Sequence, residues 1–72
     1  MKSWKRIPGA AGGTCGAQWH HPSGWYVQHC GHPTALRPYY CVNPDGRSVL
    51  DPATGRAFRH LGDAQAHILN QL

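Results

Sequence analysis

Acidic side chains are scarce in this sequence: three Asp and Glu in total, against seven Lys and Arg, over 72 residues. No carboxylate pair, phosphate loop or oxyanion-hole motif is present, so the usual signatures of hydrolytic or phosphoryl-transfer catalysis are missing. Long apolar runs are absent as well, which excludes a membrane-spanning helix of ordinary length. MKSWKRIPGAAGG, residues 1–13, is basic, but no apolar stretch follows it. A secretory signal is therefore not expected, and a cytoplasmic, reducing location is. There are three cysteines, an odd number, and no CxxC. A disulfide framework would leave one thiol over, so reduced cysteines fit better. Aliphatic residues are few: Ile7, Val27, Leu36, Val42, Val49, Leu50, Leu61, Ile68, Leu69 and Leu72. The three Trp, three Tyr and Phe58 must carry much of the core or of a binding face.

What is present suffices for one domain, 1–72. A domain this small is marginal without a staple such as a metal, a disulfide or a partner. Residues 1–13 read as a basic arm and Gly/Ala linker, and 14–23 as a loop broken by Gly16 and Pro22. Within 14–60, strands are expected at GWYVQHC (24–30), PYYCVN (38–43) and RSVLD (47–51), where β-branched and aromatic residues concentrate. RAFRH (56–60) is a short fourth strand or an extended lead into a helix. NPDGR and DPATG supply the turns between them. Residues 61–72 form the helix, with Leu61, Ala64, Ile68 and Leu72 on one apolar stripe. The fold class expected is α+β: a three- or four-stranded antiparallel meander, one C-terminal helix and a loop-rich N-terminal region. Pairing Val27 with Val42 would put Trp25, Val27, Tyr40 and Val42 under the helix. It would send Tyr26, Gln28, Cys30, Tyr39, Cys41 and Asn43 to the other face.

HCGHPTALRPYYC, residues 29–41, raises the question of a metal. Structural zinc takes four Cys or His ligands in a tetrahedron. The expected set is Cys15, Cys30, His32 and Cys41, with His20, His21 or His29 as substitutes. Such a site would tie residues 14–23 to the sheet, and metal binding would count as folding energy. The competing readings are buried packing cysteines and a Cys30–Cys41 disulfide. A Cys30–His32 nucleophile is a further alternative, but no supporting motif accompanies it, so a non-catalytic protein is expected.

From Tyr39 to Ile68 the chain reads strand, Pro-Asp-Gly turn, strand, then Gly-Arg-x-Phe-x-x-Leu-x-x-Ala, carried by Tyr40, Pro44, Asp45, Gly46, Gly55, Phe58, Leu61 and Ala64. This stretch resembles the sheet-plus-helix arm-site DNA-binding domain of phage-type tyrosine recombinases. The resemblance implies a three-stranded sheet backed by a helix, with the sheet lying in the major groove of DNA. The chain departs from that pattern at His60, where the helix cap is usually Thr or Ser, and in having few basic residues on the sheet. The Cys/His segment has no counterpart there. HCGHPTALRPYY also resembles small proteins of bacteria and their phages, a likeness that implies no activity.

Two function classes follow. A net charge of +4 suits nucleic acid or an acidic protein surface. In the first class, a small nucleic-acid-binding module, Lys2, Lys5, Arg6, Arg37, Arg47, Arg56 and Arg59 meet phosphates while Trp4, Trp19, Tyr26 or Tyr39 stack. The second is a protein-binding adaptor or inhibitor of the kind phages or bacteria direct at a host enzyme or defence complex, using Trp, Tyr and Arg as interface anchors.

Overall fold

The computed structural model describes residues 4–9 and 12–72. Period-two alternation builds the middle of the sheet. In Ala17–Gln18–Trp19–His20 and in Tyr26–Val27–Gln28–His29, every second side chain is buried, as a strand with one covered face requires. The strands are β1 Lys5–Ile7, β2 Gln18–His20, β3 Tyr26–His29, β4 Tyr39–Val42 and β5 Ser48–Val49, followed by α1 Leu61–Gln71. They form one sheet in the order β1-β2-β3-β4-β5, and each neighbouring pair is antiparallel. The architecture is thus α+β, with α1 packed on β3 and β4.

The two additional strands come from the region expected to be arm and loop. Lys5–Ile7 pairs with Gln18–His20, so this part of the expected arm is an edge strand. The segment 56–60 makes only isolated bridges, Arg56 opposite Asp51 and Phe58 opposite Tyr39. Both expected turns form. In the first, Asn43 Oδ1 accepts from the Asp45 and Arg47 amides at 3.0 and 2.9 Å. In the second, Asp51 Oδ1 accepts from the Ala53 amide at 3.0 Å.

The register between β3 and β4 differs by one residue from the expected one. Val27 lies opposite Cys41, and Tyr26 opposite Val42. This single step moves Cys41 and Tyr39 under the helix and Tyr40 and Val42 to the far face. The reason lies at the helix crossing. Ala64 and Cys41 are both completely buried, and a small side chain on each partner lets helix and strand approach closely. Tyr40 would not fit there. The core consists of Ala17, Trp19, Val27, Cys41, Phe58, Ala64 and Ile68. Leu72 lies beyond α1 and is 61% exposed, so the apolar stripe of the helix ends at Ile68.

Candidate functional site

One face of the sheet packs on α1. Among the described residues no helix or strand packs on the other. The register puts Lys5 and Ile7 of β1, Gln18 and His20 of β2, Tyr26 and Gln28 of β3, Tyr40 and Val42 of β4 and Ser48 of β5 on this open face. Val42 is 5% exposed yet stands outside the core cluster.

Two arrangements organise the face. His20 and Tyr26, a cross-strand pair, stack with ring centroids 4.5 Å apart and planes 14° from parallel. Beside them runs a polar ladder. His20 Nε2 meets Gln18 Oε1 at 2.7 Å, and Gln18 Nε2 donates to Gln28 Oε1 at 2.6 Å. Gln28 Nε2 donates to the carbonyls of Gly16 and His29 at 3.2 and 2.8 Å. Because Gln18 Oε1 can only accept, His20 Nε2 is the donor of this hydrogen bond. None of the acidic residues is on this face. Asp45 and Asp51 lie in turns, and Asp63 is in the first turn of α1.

The expected binding residues are dispersed. Lys5 pairs with His20 on the open face. Arg6 points the other way, its guanidinium 5.9 Å from the Trp19 ring centre and Nη2 donating to Gly13 O at 3.3 Å. Trp4 is half-buried against the core, edge-on to His21 at 5.0 Å. Arg37, Arg47, Arg56 and Arg59 all lie outside the strands. Lys2 falls outside the described residues. Trp19 and Tyr39 meet edge-on at 5.8 Å on the helix side, so they serve the core. Sequence reasoning passed over Gln18 and Gln28 as binding residues, named His20 only as a substitute metal ligand and placed Tyr40 under the helix, although the alternation through 17–20 and 26–29 was a readable signal.

The expected zinc ligands occupy three different environments. Cys41 is buried, with its Sγ donating to Ala64 O at 3.4 Å, and burial pushes its pKa up to about 11. Cys15 is half-buried and Cys30 exposed. His32 is exposed, with Nδ1 3.0 Å from Thr34 Oγ1. Among the described residues, no group of three or more His, Cys, Asp or Glu is placed to hold a metal ion. The one-residue register shift is the physical cause for Cys41, because it commits that thiol to the helix interface.

Comparison of the chain with protein-family models, with curated proteins and with solved structures finds no match.

Proposed function

We propose that the open sheet face binds single-stranded nucleic acid and that the protein is a binding module, not a catalyst. The observation that carries this reading is the cross-strand His20–Tyr26 stack on a face that no helix or strand covers. Unpaired bases stack on aromatic rings at about 1–3 kcal/mol per base, with little regard to sequence. Tyr40 is a further ring on the same face. The spare donor of Gln18 and the spare acceptor positions of Gln18 and Gln28 suit base edges, which only unstacked nucleotides present fully. Lys5 at the edge, the lack of acid on the face and the net charge of +4 favour a polyanion. Duplex reading in the major groove rests mostly on Arg and Lys at base edges, and no arginine holds a strand position on this face.

A protein-binding adaptor or inhibitor is the second reading. It draws on Leu36, Leu69 and Leu72, exposed at 78%, 50% and 61%.

Fluorescence anisotropy separates the two. A labelled single-stranded oligonucleotide and its duplex are titrated with the chain at rising salt. The proposal expects tighter binding to the single strand, weakened by salt and by Tyr26→Ala. Equal affinity for the duplex, or binding unchanged by Tyr26→Ala in a folded variant, overturns it.

A further inference from the structure

We propose that Cys15 and Cys30 form a dithiol–disulfide pair at the open end of the β2–β3 hairpin. Three observations bring them together. The antiparallel pairing continues past the strands, with the His29 amide donating to Ala17 O at 2.9 Å. The ladder ends there: the Ala17 amide donates to Thr14 O at 2.9 Å, closing a turn that carries Cys15 and Gly16, and Cys30 is the first residue after β3. Second, His29 Nδ1 accepts from both the Gly16 amide at 3.4 Å and the Gly31 amide at 3.0 Å. The peptide groups that follow the two cysteines therefore converge on one atom. Third, a Cβ on Gly31 would lie 4.0 Å from Gly16 N, so the two turns touch. Gly16 and Gly31 both have positive φ, 78° and 86°. These left-handed residues end the regular alternation, and the two sulfurs are not held to opposite faces.

Accessibility assigns the order of events. Cys30 is exposed and Cys15 half-buried. The Cys30 thiolate attacks a low-molecular-weight disulfide, forms a mixed disulfide and expels one thiol. Cys15 then attacks Cys30 Sγ and expels the second thiol. The protein loses two electrons and two protons, and the external disulfide gains them as two thiols. Cys41, buried and hydrogen-bonded to Ala64, takes no part and serves as an internal control.

The test is oxidation of the full chain by oxidised glutathione, with a chelator present to keep metal off the thiols. Intact mass, peptide mapping and alkylation report the result. The expected product is lighter by two hydrogens, retains no glutathione, links Cys15 to Cys30 and leaves only Cys41 to be alkylated after unfolding. Cys15→Ser should instead keep glutathione on Cys30. A stable glutathione adduct on the wild-type chain, a link to Cys41, or three alkylated cysteines would each overturn the proposal. These readouts do not depend on nucleic-acid binding.

Discussion

Cys41 donates its thiol hydrogen to the main-chain carbonyl of Ala64, 3.4 Å away across the seam between β4 and α1. The helix sits on the sheet at this point, and both residues are fully buried. Burial raises the thiol pKa from its ordinary 9.0 to about 11. The folded state thus holds the proton more tightly than the unfolded state does. The associated stability is complete below pH 9.0 and is lost as pH rises toward about 11. Its ceiling is about 2–3 kcal/mol. Urea unfolding across that window should show the wild type losing more stability than Cys41→Ala. Parallel curves would refute the linkage.

Ile68 and Leu69 are neighbours on α1 with opposite fates. Ile68 is fully buried and Leu69 is 50% exposed. Ile68→Ala should cost about 2–5 kcal/mol through lost transfer energy and a cavity, enough to unfold much of a marginal chain. Leu69→Ala should change stability by less than about 0.5 kcal/mol. Thermal unfolding followed by circular dichroism measures both.

His29 satisfies two main-chain donors with one nitrogen, those of Gly16 and Gly31. His29→Phe keeps a ring but leaves both amides without an acceptor, at a cost of about 1–3 kcal/mol. His29→Asn places a carbonyl oxygen near the position of Nδ1 and should recover part of that loss. If the two variants are equally unstable in denaturant, the hydrogen bonds are not what His29 contributes.

On the open face, Tyr26→Ala and Tyr40→Ala should each weaken single-strand binding by about fivefold or more, the low end of base–aromatic stacking. Arg59→Ala, outside the strands and exposed, should leave affinity within about twofold and mainly flatten the salt dependence. Anisotropy titrations at two salt concentrations make the comparison, and an Arg59 effect larger than that of either tyrosine would move the interface off the sheet.

Local chemistry alone determined much of this protein. The turns at Asn43–Arg47 and Asp51–Arg56 follow from side chains that bond their own backbone, which needs no distant partner. Helix α1 follows from its apolar spacing, and Ala64 and Ile68 are its buried residues. The strands at 26–29 and 39–42 follow from their aromatic and β-branched content. Short strands are different. Lys5–Ile7 is a strand only because Gln18–His20 lies beside it, and three residues carry too little propensity to announce themselves. Register was also a tertiary decision. Pairing Val27 with Val42 or with Cys41 satisfies alternation equally well, and only the close helix crossing at Ala64 selects the second. That choice turned Cys41 inward, away from any shared site with Cys30, and left Tyr40 beside Gln28 on the uncovered face. Composition set the positive charge. Which side chains share a surface was decided by packing, because a one-residue slip in a strand exchanges its two faces.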